Sequence, residues 1–430
     1  MIVWILQTGE PLHSDKGSPR PMRAMNLANA LIERGHHVVI WSSAFFHQEK
    51  IHRSFEFQSI EFSNQLTINL IPSMGYTRNI GIRRLIDHAQ LAINLGRLLS
   101  SGKYDPPDSA FVGFPPIEIA AVMIRWLRNK NVPAIIDAKD QWPDIFLEPV
   151  PKILHPLAKL ALCPYSFLTK RAMNDALEFC AMTSEFVTWM GDVAGRPLTA
   201  ADLPAPLAVP KEKFRDDELF EVRKWWALHG VDTENRRRIS FVGSLSPAFN
   251  FEIVRRVAQK YLDEDIDCQF VICGEGSESG KIRQLMAGLS NVVMPGWIDA
   301  PRISVLTSSS IAMMAPYINN DAFMRSIPNK IMDSFASNLP VITTLKGVVE
   351  ELLMSNNIGL STDSELEFSN YALQLLDNQD FFDEIVDHIG TIHDARYSYE
   401  KVYGGLAERV IRLASISKVE RLTFPSNLEP

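Results

Sequence analysis

Residues 2–42 run IVWILQ (Ile2–Gln7), TGEPLHSDKGSPRP (Thr8–Pro21), MRAMNLANALIER (Met22–Arg34), GHH (Gly35–His37) and VVIWS (Val38–Ser42). The first block is an almost unbroken apolar run of strand length, the pattern of a strand buried on both faces. In the third block Met22, Leu27, Ala28, Leu31 and Ile32 recur at three- and four-residue steps, the period of a helix with one apolar face. Gly35 stands where that helix must stop, because glycine takes the left-handed C′ conformation without a Cβ clash. Strand, loop, helix and second apolar strand make one β-loop-α-β unit. Strands joined in this way lie parallel in one sheet.

The same pattern extends outward. Further strands are predicted at Leu66–Ile71, Ser109–Val112, Ala134–Asp137 and Phe179–Thr183, with an apolar helix over Ile117–Arg128. Arg196–Lys213 is rich in proline and small residues and reads as a linker. Beyond it the alternation restarts. Helices are expected at Asp217–His229, Glu252–Tyr261 and Lys281–Leu289, from near Pro328, and near Glu350 and Glu365. They alternate with strands at Arg238–Val242, Cys268–Cys273, Val292–Met294, Ile311–Ala315 and Pro340–Thr343, and Ser398–Ala414 reads as one long closing helix. The fold class is therefore α/β, with two Rossmann-like parallel-sheet domains whose carboxyl strand ends are expected to face one cleft.

At 430 residues the chain suits two domains, and 46% hydrophobic with 22% charged residues is a globular balance. The net charge of −8 gives no overall basic field, so nucleic acid is not an expected partner. Cys163, Cys180, Cys268 and Cys273 form no CxxC pair and no metal-like spacing with histidine, and read as thiols of a reducing cytosol. No metal is expected. The amino-terminal block lacks a basic signal-peptide region, and no apolar run reaches the ~18–20 residues needed to span a bilayer.

Four constellations could carry chemistry. Gly17 and Ser18 end the loop after the first strand and feed a helix, whose exposed N–H groups and dipole suit a phosphate or a polar sugar. In the second half, Gly243 and Ser244, Gly274 and Gly276, and Gly296 with Trp297 and Ile298 follow three strands. They would line one sheet edge where a nucleotide base could lie against backbone. The segment Arg325-Ser-Ile-Pro-Asn-Lys-Ile-Met-Asp333 places Ser326 as a candidate helix cap, Pro328 in the first turn, and Asn329 and Lys330 at the helix start. Arg325, Lys330 and those N–H groups could hold a diphosphate, and Asp333 could accept ribose hydroxyls. In Asp137-Ala-Lys-Asp140-Gln-Trp-Pro-Asp144, Asp140 is placed to orient an acceptor hydroxyl, and Asp144 reads as a helix cap. Asp140, Arg325 and Lys330 are the expected catalytic groups.

These motifs, in this order, resemble the family-4 glycosyltransferases of the GT-B fold, especially bacterial enzymes that build surface polysaccharides. The resemblance rests on Gly17-Ser-Pro-Arg-Pro, Arg34-Gly-His-His-Val, Asp137-Ala-Lys-Asp140-Gln-Trp-Pro-Asp, Phe241-Val-Gly243, Cys273-Gly-Glu-Gly, Pro295-Gly-Trp-Ile, Pro328-Asn-Lys-Ile-Met-Asp with Leu-Pro-Val-Ile-Thr-Thr, and Tyr397-Ser-Tyr-Glu. It implies an acceptor domain over 1–205, a nucleotide-sugar domain over 206–396, and a segment 397–430 that crosses back onto the first. It further implies retention of anomeric configuration, no cofactor, a UDP-sugar donor and a glycan or lipid-linked acceptor in lipopolysaccharide-type assembly. Two departures stand out. The family's pair of glutamates eight residues apart is Arg325 and Asp333 here, and the basic residues that follow its glycine are Ser244 and Asn250 or neighbours.

Arg78–Leu99 and Pro151–Arg171 mix basic and apolar residues, and are candidates for peripheral contact with the inner face of a membrane. Two other functions fit the same domains. A sugar-nucleotide epimerase would need more acid/base groups than the Asp137–Asp140 stretch supplies. A non-catalytic carbohydrate-binding relative is motivated by Arg325 in place of the sugar-facing glutamate.

Overall fold

The computed structural model describes residues 1–17, 19–78, 81–147, 150–210 and 214–415. Ser18, parts of the Arg78–Leu99 and Arg196–Lys213 stretches, and the tail after 415 lie outside the described residues. The chain divides into two compact units, Met1–Pro206 with Val402–Pro430, and Leu207–Lys401.

The first unit holds β1 (Ile2–Leu6), β2 (His37–Ser43), β3 (Phe45–Phe46), β4 (Ile51–His52), β5 (Gln58–Ser63), β6 (Leu66–Ile71), β7 (Ser109–Phe114), β8 (Ala134–Ala138), β9 (Glu178–Ala181) and β10 (Leu203–Pro204). Its helices are α1 (Arg23–Glu33), α2 (Ile82–Ser100), α3 (Ile117–Asn129), α4 (His155–Asp175) and α5 (Ser184–Ala194). Eight strands form one sheet in the order β10-β9-β8-β7-β1-β2-β6-β5. Only β5 runs antiparallel to its neighbour, and β3 and β4 form a separate antiparallel pair. In the opening unit Ile2 pairs with His37 and Leu6 with Trp41, in parallel register. β1, with β2 on one side and β7 on the other, marks the point where the order of connection reverses. Ligands of such sheets bind outside the carboxyl strand ends there.

The second unit holds β11 (Arg238–Val242), β12 (Gln269–Cys273), β13 (Val292–Gly296), β14 (Ala312–Ala315), β15 (Val341–Thr343) and β16 (Gly359–Ser361), paired in the order β13-β12-β11-β14-β15-β16. Every pair is parallel. The helices are α6 (Asp216–Leu228), α7 (Glu252–Asp263), α8 (Ser279–Leu285), α9 (Ala300–Ser308), α10 (Asp321–Met324), α11 (Asn329–Ala336), α12 (Val348–Asn356), α13 (Glu365–Asp377) and α14 (Gln379–Ile392). Side-chain oxygens of Asp299, Asn320, Ser364 and Asn378 accept the N–H three residues on and so fix where four of these helices begin. The reversal here lies between β11 and β14.

Two expectations are corrected. Arg196–Lys213 is not simply a linker, because Leu203–Pro204 adds β10 to the edge of the first sheet. Asp202 anchors it: its carboxylate receives Arg196 and the N–H groups of Phe179 and Thr199. Nor is Ser398–Ala414 one regular helix. Wide π-type turns span Glu400–Gly404, and α15 (Gly405–Ser415) follows. This closing helix is fastened to the first unit. Ser109 Oγ donates to the Val410 carbonyl at 2.9 Å, Arg409 donates to the carbonyls of Phe179, Ala201 and Leu203, and Arg412 pairs with Glu178.

Candidate functional site

In the second unit, the loops after β11, β12 and β13 are stitched together by backbone. Gly243 N–H donates to the Cys273 carbonyl at 2.9 Å, Gly274 N–H to the Gly296 carbonyl at 2.7 Å, and Leu245 N–H to the Glu275 carbonyl at 3.1 Å. This explains the glycines. A Cβ on Gly274 would overlap the Gly243 carbonyl, and one on Gly276 would overlap the Leu245 carbonyl. Close approach of loop to loop is thus a demand of the fold itself, beside any demand of a ligand.

Lys330 reaches across the reversal point. Its Nζ donates to the Val242 carbonyl at 2.6 Å and lies 4.7 Å from the Phe241 ring centroid. A Cβ on Gly243 would overlap that Nζ, so the glycine makes room for the ammonium. Lys330 and Gly243 meet, as do Gly243, Gly274 and Gly276 along the strand ends. Asn329 opens α11 and is exposed, and half-buried Asp333 lies one turn in. Arg325 is exposed after α10, and Ser244 is exposed after Gly243. Trp297 is 72% exposed, whereas Ile298 is buried beside Trp226 and Val271. Ser326 does not cap α11. That position belongs to Pro328, because the chain turns first around Phe323, whose carbonyl accepts from both Ser326 N–H and Oγ. A groove of about 420 Å³ opens beside the starts of α7 and α8, lined by Phe249, Asn250, Glu252, Glu278 and Lys281 among others.

In the first unit, Gly17 is exposed with φ +80°. Part of the helix start beyond it is already occupied, since Glu10 accepts the Ala24 N–H at 2.9 Å and also pairs with Lys139. Deeper, Arg23 and Asp137 form a fully buried ion pair, Nε to Oδ2 3.2 Å, and Arg23 Nη2 donates to the Ala205 carbonyl at 2.6 Å. Asp140 lies exposed just past β8. Crowding by surrounding protein pushes its carboxyl up to about 6, against the pull of Arg84 and Lys139. Asp144 accepts the indole N–H of Trp189 at 2.8 Å and starts a 3-10 turn.

Linked to Asp140 through Arg84, whose charge acts on it, stands a group that sequence reasoning missed. His47 Nδ1 lies 2.6 Å from the Tyr76 hydroxyl and 3.0 Å from Lys50 Nζ. Arg84 lies over the rings of Tyr76 and Trp142, and His88 packs on both of those rings. His88 Nδ1 is 4.0 Å from Glu118 Oε2. Burial and then neighbouring cations hold both imidazoles neutral, His47 near 4 and His88 near 3, and burial raises the Glu118 carboxyl. These residues come from loops, α2 and α3, with no common spacing, so only the folded chain assembles them.

With this geometry in place, comparisons with known proteins bear on the second unit first. Residues 236–378 match the family model described as "Glycosyl transferases group 1". Among solved structures, the chain is similar to WaaG, a glycosyltransferase involved in lipopolysaccharide biosynthesis, at 12% identity over 95% of this chain and 99% of that one, TM-score 0.61. It is also similar to HepE of Anabaena in complex with UDP-glucose, at 13% identity over 97% and 100%, TM-score 0.60. A UDP-forming trehalose-phosphate synthase of Burkholderia vietnamiensis aligns at 11% identity over 97% and 99%, TM-score 0.64. No curated protein sequence matches the chain. At such identities the likeness concerns the fold, which is of the GT-B type in both units.

Proposed function

We propose that the protein is a cytoplasmic, retaining, metal-independent glycosyltransferase. It moves a hexosyl or hexosaminyl group from a UDP-sugar, bound by the second unit, to a glycan or lipid-linked acceptor bound by the first. The product serves surface polysaccharide assembly. The observation that carries this reading is Lys330, held on Gly243 at the reversal point of the second sheet, within the stretch that matches the group 1 model. A departing nucleoside diphosphate develops negative charge, and a fixed ammonium with helix-start N–H groups stabilises charge where it forms. Arg325 adds a second cation, and Asp333 accepts ribose hydroxyls. In the first unit Asp140 orients the acceptor hydroxyl, together with the aromatic and polar side chains linked to it through Arg84. The HepE complex with UDP-glucose supports the choice of donor.

A thermal-shift series with UDP, GDP, ADP, CMP and several UDP-sugars tests this. A ligand at about 100 times its Kd adds roughly 2.7 kcal/mol of stability. Selective stabilisation by UDP and one UDP-sugar is expected. No shift with any nucleotide would overturn the proposal, and a transferred sugar with inverted anomeric configuration would overturn the retaining mechanism.

A further inference from the structure

Both stretches singled out in the sequence as basic and apolar form helices, and they differ in what they bury. On α2, Leu91, Leu95 and Leu99 are buried, so much of its apolar face belongs to the core. On α4 burial begins only at Thr169. Ahead of it Ile153 is 87% exposed, Leu157 67%, Leu160 71% and Phe167 62%. Ile153 lies in the 3-10 turn that leads into α4, and within the helix steps of three and seven residues put Leu157, Leu160 and Phe167 on one stripe. Lys159 and Lys170, eleven residues apart, make a row beside it; Lys152 sits in the turn just ahead of the helix and Arg171 at the far end of the apolar stripe. No acidic residue occurs from 151 to 174, in a chain whose net charge is −8. Among the described residues no helix is long and apolar enough to cross a membrane.

An exposed apolar stripe flanked by a row of cations complements one kind of surface, an anionic bilayer. The apolar side chains enter the headgroup boundary while the lysines reach lipid phosphates. We infer that α4 is a docking helix that seats the first unit on anionic phospholipid. The inference stands apart from the transferase proposal, because vesicle binding requires no nucleotide.

Cosedimentation of the full chain tests it, with vesicles of phosphatidylcholine alone and of phosphatidylcholine with about a third phosphatidylglycerol. Partitioning is expected only into the anionic vesicles, and should weaken as salt rises. Each lysine near such a surface contributes roughly fivefold. Lys152→Ala/Lys159→Ala/Lys170→Ala should therefore lower the partition coefficient on the order of 100-fold. Leu157→Glu/Leu160→Glu should abolish binding while the helical circular dichroism of the protein is kept. The substituted positions are exposed, so folding should survive. Absence of partitioning at low salt, equal binding to neutral vesicles, or unchanged binding by both variants would overturn the inference. So would a dimer that Leu157→Glu/Leu160→Glu converts to a monomer in a protein that ignores vesicles.

Discussion

Replacing Gly243 by alanine should damage nucleotide binding more than its single methyl group implies. The new Cβ would overlap Lys330 Nζ and lie 2.8 Å from Cε. The ammonium is the end of a flexible side chain, so it can swing away at little cost, but it then gives up the Val242 carbonyl and its place at the strand end. Gly243 also has φ +148°, and a side chain there strains the backbone by about 1–3 kcal/mol. Unfolding by denaturant should register that strain. UDP affinity should fall by what one charged hydrogen bond contributes, about 1.5–3 kcal/mol or roughly 10- to 150-fold. Lys330→Ala should lose the same affinity with less effect on stability. Isothermal titration of Gly243→Ala, Lys330→Ala and the double variant closes the cycle, and the double variant should bind no worse than Lys330→Ala alone. UDP binding by Gly243→Ala at wild-type affinity, or fully additive losses, would refute the assignment of Lys330 to the phosphates.

Gly274→Ala should behave in the opposite sense. Its Cβ would strike the Gly243 carbonyl, which cannot swing away, at φ +133°, so urea unfolding should show a loss of roughly 3 kcal/mol or more. Asp140 has its carboxyl raised to about 6, so its carboxylate is lost as pH falls through that value. Transfer activity should drop below about pH 6, and Asp140→Asn should be slow at every pH and lack that acid limb; a normal limb in the variant would exclude Asp140 as its source. Arg23→Ala leaves Asp137 charged and buried without its partner, and should destabilise the first unit by about 3–5 kcal/mol in chemical denaturation.

The sheet strands were mostly visible in the sequence because a strand covered on both faces has an apolar signature that needs no context. β1, β2, β6, β7, β8 and β11 all fall where apolar runs put them, within a residue or two. β5 did not, since Gln58–Ser63 is an edge strand whose side chains are largely exposed, and its two apolar residues, Ile60 and Phe62, make no continuous apolar run. β10 was hidden differently. Leu203–Pro204 joins the sheet through two residues in a proline-rich stretch, and its position depends on Asp202, Arg196 and the distant Arg409. Chain order also brought Lys330 near Gly243 only in hindsight. The two are separated by nearly half of the second unit, and strand order β11-β14 is what makes them neighbours. Glu10 stood in plain view in its loop, yet nothing in the spacing shows a carboxylate folding back onto the helix start.

The placement of charge argues for a division of roles between the units. In the first, the positive end of α1 meets Glu10, Lys139 meets Glu10 as well, and Arg23 meets Asp137, so the cations at the strand ends are answered by carboxylates of the chain itself. His47 and His88 are held neutral beside the rings of Tyr76 and Trp142, so this cluster offers hydrogen-bonding groups and aromatic faces. Such a surface suits hydroxyl groups, which gain from directed hydrogen bonds and ring contacts and bring no charge to be desolvated. In the second unit Lys330 Nζ donates to the Val242 carbonyl, which holds the ammonium at the strand end beside Gly243. Under the proposed function the diphosphate goes to Lys330 and the acceptor hydroxyl near Asp140, because a diphosphate brought to the first unit instead would face the carboxylates of Glu10 and Asp140.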